Sequence, residues 1–182
     1  MSDFHFTSDW FTTHIPRWEK HLLHLAGRPI HCLEIGTYEG RSACWIAQNL
    51  LTHPESSLLC LDPLPWSAIV DRWHENLRQV KCAGEVRLTR ASSLEVLPGH
   101  KYAYDFIYVD GDHHGSSVIR DGINAWKLLR SGGIMIFDDY LWSDPKYQAH
   151  ELPGPAIDYF LSLYQGKFTL LFSGWQIGIR KE

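Results

Sequence analysis

Short apolar runs alternate along this chain with segments whose apolar residues recur at helical spacing. The run at 30–35 predicts a first strand, and the turn Gly36–Gly40 leads from it into a helix over 41–51. A second strand is expected at 58–62 with a helix over 68–80, and a third at 85–91 with a short helix over 93–98. The fourth strand, 104–110, feeds a helix over 116–130; the fifth, 133–138, is followed by a helix over 156–166. Two closing β-rich runs, 168–175 and 176–181, are separated only by a tight turn. They must pair antiparallel, because a parallel partner needs a long crossover.

Strand–helix alternation implies right-handed crossovers and a mostly parallel sheet covered on both faces. The expected fold class is therefore α/β, a doubly wound sheet of seven strands with a C-terminal antiparallel hairpin. Before it, residues 8–26 space Trp10, Phe11, Ile15, Trp18, Leu22 and Leu25 at helical intervals, with Gly27 as terminator. Pro16 either breaks this helix or opens its second piece. At 182 residues one domain is expected, since domains commonly run to about 100–200 residues. It divides into a helical extension, 1–29, and a catalytic core, 30–182.

Four of the apolar runs meet a carboxylate: Glu34, Asp62, the pair Asp110 and Asp112, and the pair Asp138 and Asp139. In an open parallel sheet the strand ends border the crevice where ligands bind. An acidic crevice calls for a cationic ligand, a metal, or both.

Composition narrows the partners. With 45% hydrophobic and 21% charged residues the chain is that of a globular protein, and a net charge of −4 with scattered Lys and Arg argues against nucleic acid. The N-terminus lacks the features of a signal peptide, and no apolar run approaches the roughly 18 residues of a spanning helix. A cytoplasmic protein with a small-molecule partner and no membrane is expected. Cys32, Cys44, Cys60 and Cys82 form no CxxC pair, and three fall within apolar patterns, which points to buried thiols rather than disulfides or zinc.

Gly36 and Gly40 sit where the backbone must turn tightly and a ligand can approach. A dinucleotide fingerprint wants glycines at its first, third and sixth positions; here Tyr38 and Arg41 hold the latter two. Glu34, at the end of a buried strand, needs a partner such as a ligand ammonium or hydroxyl; otherwise it caps the loop. Asp62 is placed to accept ribose hydroxyls, or else is an Asp-Pro turn residue.

The stretch LEIGTYEGRSACWIA resembles the first motif of class I S-adenosylmethionine-dependent methyltransferases. Within them it is similar to the catechol O-methyltransferase-like group, where a tyrosine likewise occupies the middle glycine position. The terminal hairpin belongs to the same Rossmann-like fold. The resemblance covers roughly residues 30–140. It implies that Glu34, Gly36, Tyr38, Gly40 and Ser42 surround the methionine moiety, that Asp62 holds the ribose, and that Ser92 and Ser93 lie by the adenine, with Asp110 also at the cofactor.

Asp110, Asp112, Asp138 and Asp139 at neighbouring strand ends would raise one another's pKa values. A sulfonium supplies only one positive charge, so a divalent cation is the more economical partner. All-oxygen donors favour Mg²⁺, with Ca²⁺ or Mn²⁺ as substitutes. The alternative is a DGD turn followed by a loop cap. The resemblance extends to metal-dependent macrolide and aminocoumarin sugar O-methyltransferases, and implies Mg²⁺ at Asp110, Asp138 and Asp139. It also implies a proton acceptor at His113 or Asp112, with His114 a lesser rival. Trp142 and Tyr140 are candidates for an acceptor wall, and Trp66 for covering the adenine. His21 and His24 are read as a solvated helix face.

The reading is thus an S-adenosylmethionine-dependent methyltransferase acting on a small-molecule hydroxyl with Mg²⁺. Its rivals are a metal-independent methyltransferase on O, N or C and an inactive S-adenosylmethionine-binding module. The short chain leaves the site open or covered by a second copy in a homodimer.

Overall fold

A computed structural model describes residues 4–182; the first three residues of the N-terminal stretch considered above lie outside the described residues. The strands are β1 (His31–Ile35), β2 (Ser57–Leu61), β3 (Glu85–Thr89), β4 (Tyr104–Val109), β5 (Leu129–Phe137), β6 (Phe168–Phe172) and β7 (Ile177–Lys181). They form a seven-stranded sheet in the order β3-β2-β1-β4-β5-β7-β6. The first five are parallel, while β7 runs antiparallel between β5 and β6. Strand order reverses between β1 and β4, the place where an open sheet leaves a crevice.

Helices α1 (Ile15–Leu22), α2 (Arg41–Asn49) and α3 (Ser67–Arg78) cover one face, and α4 (Ser93–Val96), α5 (Gly115–Leu128) and α6 (Pro153–Leu163) the other. Strand alternation produces this division. On β4, Phe106 and Tyr108 face the first layer, Ile107 and Val109 the second. Trp18 is fully buried at the centre of the first layer, edge-on to Trp45, Phe106 and Tyr108. Truncating such a side chain costs about 3–5 kcal/mol, so α1 is anchored to the sheet rather than appended to it.

The N-terminal helix is shorter than its periodicity predicts. Residues Thr12–His14 make a 3-10 turn, Pro16 falls in the first turn of α1, and Leu23–Leu25 closes as another 3-10 turn. Pro16 therefore opens the helix, where its missing N–H is harmless. The Asp9 carboxylate accepts from the Phe11 and Thr12 amides just upstream. Helix α5 also stops early, at Leu128. Leu129 turns extended and pairs with Tyr104, and a bulge containing Gly132 at φ 78° restores the register at Ile134. The apolar positions of a helix end and of an entering strand merge here, which hid the boundary.

Cys32, Cys44 and Cys60 are buried and free, and Cys82 is exposed. Among the described residues no helix is long and apolar enough to cross a membrane.

Candidate active site

The central strands end level. Register aligns Leu61, Ile35, Val109 and Phe137, and the next residues continue the ladder: Asp62 N–H donates to Thr89, Gly36 to Leu61, Asp110 to Ile35 and Asp138 to Val109. Asp62, Gly36, Asp110 and Asp138 therefore form one row along the sheet edge. Glu34 is not in it. It lies one residue before the end of β1, on the face toward α2, with no exposed surface. The Ser42 hydroxyl donates to its Oε1. Burial lifts its pKa to about 6, with Ser42, Thr37 and Cys60 moderating the rise. The direct ligand contact expected of Glu34 is thus corrected: strand alternation turns it inward, where it holds Ser42.

Asp62 is a brace. Its Oδ2 accepts from the Thr37 and Tyr38 amides at 2.9 and 3.1 Å, and its Oδ1 from Leu64 at 3.0 Å. Tyr38 and Leu64 are two of the non-glycine residues held at positive φ, 46° and 35°. Such conformations persist only where surroundings over-determine them, and one carboxylate supplies part of that determination for both. Gly36 takes a left-handed φ of 81°, and a Cβ there would overlap the Asp110 carbonyl. Gly40, expected near the ligand, instead lets the turn pack against Trp73 and Leu77 of α3.

A cavity of about 1300 Å³ runs along the row. Its walls include Gly36, Tyr38, Ser42 and Asp62 from the first two strand ends, Ser92 and Ser93 after β3, and Asp110, Asp112 and His113 after β4. Ser92 also caps α4 in a reciprocal pair with Glu95. From the N-terminal segment come Phe6, Trp10, Phe11 and His14. That segment is tied down by Thr7 to Glu39, Asp9 and Thr12 to Arg41, and His5 to Asn76. Trp66 and Trp142 line the cavity as expected. Tyr140 does not; its hydroxyl donates to Asp158 of α6.

At the far end of the row the acids are crowded. Tyr108 donates its single hydroxyl proton toward both Asp110 and Asp138. Gln176 Nε2 reaches Asp138 Oδ2 at 2.9 Å, and Trp18 Nε1 fixes Gln176 Oε1 at 2.9 Å. Asp138 Oδ1 accepts from the Asp139 amide at 2.7 Å, bracing Asp139 at φ 59°. Burial, then the charges of Asp138 and Asp139, push Asp110 well above the usual carboxylate range. Burial raises Asp138 as well.

His113 Nε2 lies 2.7 Å from Asp139 Oδ2 and its ring stacks on Trp142, centroids 4.9 Å apart. The hydrogen bond to Asp139 raises the imidazole pKa. Asp112 spends both oxygens at the start of α5, on the His114 amide and the Ser117 hydroxyl. Among the described residues Asp110, His113 and Asp139 bring ligand atoms within 4.8 Å of one another. Asp138, expected with them, is instead committed to Tyr108 and Gln176 beneath. Two carboxylates and an imidazole suit a divalent cation.

Sequence reasoning missed Tyr108, Gln176, His14 and Asp121. His14 is half-buried and faces Asp138 and Asp139, although burial holds its pKa below the ordinary value. His21 packs its ring against Phe172, while His24 is exposed.

The chain is similar to several known proteins. A curated protein, the uncharacterized R132 of Acanthamoeba polyphaga mimivirus, is 30% identical over 117 residues, covering 59% of this chain. The chain spans about half the length of that relative, 50%. Among solved structures, an O-methyltransferase from Bacillus cereus in complex with SAH superposes with a TM-score of 0.68 at 21% identity, covering 97% of this chain and 84% of its own. The MycE methyltransferase of mycinamycin biosynthesis, in complex with Mg, SAH and mycinamycin VI, gives 0.67 at 14% identity, covering 96% and 50%. These likenesses show the fold. A family model described as a methyltransferase domain matches residues 33–140, and the chain belongs to that family of methyltransferase domains.

Proposed function

We propose that this protein transfers the methyl group of S-adenosylmethionine to a hydroxyl of a small molecule, with a divalent cation, Mg²⁺ foremost, held by Asp110 and Asp139. The observation that carries the reading is the continuity of the cavity from Asp62 and the Gly36–Tyr38 turn to the group Asp110, His113 and Asp139. One ligand can lie along the row with its reactive end beside the acids. The SAH and Mg bound to the solved neighbours support the same assignment.

Asp62 retains lone-pair capacity beyond its three backbone donors and receives the ribose hydroxyls. Ser42 and the Gly36–Tyr38 turn hold the methionine portion. A bound cation would acidify and orient the acceptor hydroxyl. His113 takes the hydroxyl proton at Nδ1, and Asp139, which accepts from Nε2, stabilises the imidazolium that forms. The acceptor oxygen bonds the methyl carbon as the carbon–sulfur bond breaks, leaving S-adenosylhomocysteine. Holding the two in line is the main catalytic contribution. Asp112 is the weaker candidate for the proton, since both its oxygens already cap α5.

A second reading is favoured by one contact: the His113–Asp139 pair at 2.7 Å is a complete base and orienter without a metal. Calorimetric titration with S-adenosylmethionine, in Mg²⁺ or in EDTA, separates the two. Binding of both ligands is expected. Metal-indifferent binding with no heat of Mg²⁺ or Mn²⁺ association leaves the metal-free reading, and no binding of S-adenosylmethionine defeats both.

A further inference from the structure

Gln176 directly precedes β7 and is fully buried, in a layer built mainly of aromatic and aliphatic side chains. The antiparallel register pairs Ile177 with Phe137, so Gln176 stands opposite Asp138. Strand alternation turns Ile177 and Phe137 toward the α5 side and leaves Gln176 on the side of α1. There both ends of its amide are engaged. Trp18 Nε1 donates to Oε1 at 2.9 Å, while Nε2 donates to Asp138 Oδ2 at 2.9 Å and to the Tyr108 hydroxyl at 3.4 Å. An indole N–H can only donate, so Trp18 fixes which end of the amide meets Asp138. Turned over, the amide would set its oxygen against the carboxylate and its nitrogen against the indole N–H. A buried amide costs stability unless it is fully bonded, and an apolar residue would fill this place more cheaply. What the amide holds lies at the site. The other oxygen of Asp138 accepts from the Asp139 amide at 2.7 Å, with Asp139 at φ 59° and its Oδ2 2.7 Å from His113 Nε2.

We propose that Gln176 is a positioning residue for the metal-holding acids, kept in one orientation by Trp18 and passing that orientation through Asp138 to Asp139. The inference rests on the reading of Asp110 and Asp139 as holders of a divalent cation. It extends the site to α1, since neither Trp18 nor Gln176 lines the cavity. Without the Nε2 donor, Asp138 loses a bond that fixes its carboxylate, and the turn that presents Asp139 loosens. The cofactor end of the row, from Asp62 to the Gly36–Tyr38 turn, is held by other donors and does not feel the change.

The test is a double-mutant cycle of wild type, Trp18→Phe, Gln176→Met and the double variant, and it needs no methyl acceptor. Phe keeps much of the ring packing and removes the N–H; Met keeps the volume and removes the amide. Mn²⁺ affinity is followed by electron paramagnetic resonance and S-adenosylhomocysteine affinity by calorimetry. Gln176→Met should weaken Mn²⁺ binding about tenfold and Trp18→Phe about fivefold, the range of one hydrogen bond at a charged group. In the Gln176→Met background, Trp18→Phe should change Mn²⁺ affinity by less than about twofold, because the indole acts only through the amide. S-adenosylhomocysteine affinity should stay within about twofold in every variant. Additive losses of Mn²⁺ affinity overturn the proposal, since a Trp18 that merely supports the fold weakens binding equally in both backgrounds. Unchanged or tighter Mn²⁺ binding in a folded single variant overturns it too, tighter binding meaning that a released Asp138 turns to the ion itself. If one single variant does not fold, the other decides: loss of Mn²⁺ with S-adenosylhomocysteine retained supports the relay, and equal loss of both overturns it. Wild type that binds no Mn²⁺ overturns it together with the metal reading, a result distinct from an additive cycle in a protein that binds the ion.

Discussion

The acids along the sheet edge fall into two kinds, and the difference lies in how many donors the fold gives each. Asp62, beside β1, and Asp138, at the end of β5, are occupied: one receives three backbone amides, the other an amide, Tyr108 and Gln176. Each braces a neighbour at positive φ. Asp110 and Asp139, between and beside them, have few donors and repel each other and Asp138. An apolar run ending in Asp therefore produces either a brace or a carboxylate left short of donors. The surrounding donors decide which.

The sharpest way to break the contrast is at Gly36, where the two regions touch. Gly36→Ala should cost at least about 4 kcal/mol, because the new Cβ overlaps the Asp110 carbonyl and φ is left-handed. Denaturant unfolding should show little native protein, with both ligand and metal binding lost. A stable variant would mean that the turn and the β4 end move independently.

Asp62→Ala should come next. Removing a carboxylate that satisfies three amides, two of them on strained residues, should destabilise the protein by about 3 kcal/mol. S-adenosylhomocysteine affinity should fall with it, while Mn²⁺ binding followed by electron paramagnetic resonance stays within about twofold. Asp139→Asn should give the mirror image: Mn²⁺ binding weakened about a hundredfold, a charge-for-amide exchange in a ligand, with S-adenosylhomocysteine affinity and thermal stability nearly unchanged. If Asp62→Ala disturbed the metal as much as Asp139→Asn did, the two kinds of acid would not be separable.

The sheet, its parallel core and the closing hairpin were legible because short apolar runs alternating with helical-period segments, and a tight final turn, leave few alternatives. Asp62, Asp110, Asp138 and Asp139 were legible as strand-end acids for the same reason. Their division was not, because it depends on distant partners. Gln176 reads as a polar turn residue, and only Trp18, 158 positions earlier, makes it a buried donor. Tyr108 reads as one more apolar strand residue, although its hydroxyl lies between two carboxylates. Asp121 reads as part of a polar helix face until the loop after β3 lands on it. Glu34 was misplaced by one residue: the run ends at Ile35, and alternation sends Glu34 to the α2 side.

That inward turn gives the smallest and cleanest effect. Glu34 is fully buried, with its folded pKa raised from an ordinary 4.5 to about 6. A raised carboxyl pKa favours the fold below the unfolded value, and that contribution is lost as pH rises through the folded one. Ionised Glu34 should thus cost about 2 kcal/mol at neutral pH and nothing at pH 4. Glu34→Gln keeps the acceptor for Ser42 and removes the charge. It should be more stable than wild type by up to about 2 kcal/mol at pH 7.5, with the advantage vanishing between pH 6 and 4.5 in paired urea titrations. Because Glu34 does not reach the cavity, S-adenosylhomocysteine affinity should hold within about threefold. A variant that gained no stability yet lost the ligand would put Glu34 back among the acids that face the cavity, and would mean that Ser42 is held there by the ligand rather than by the core.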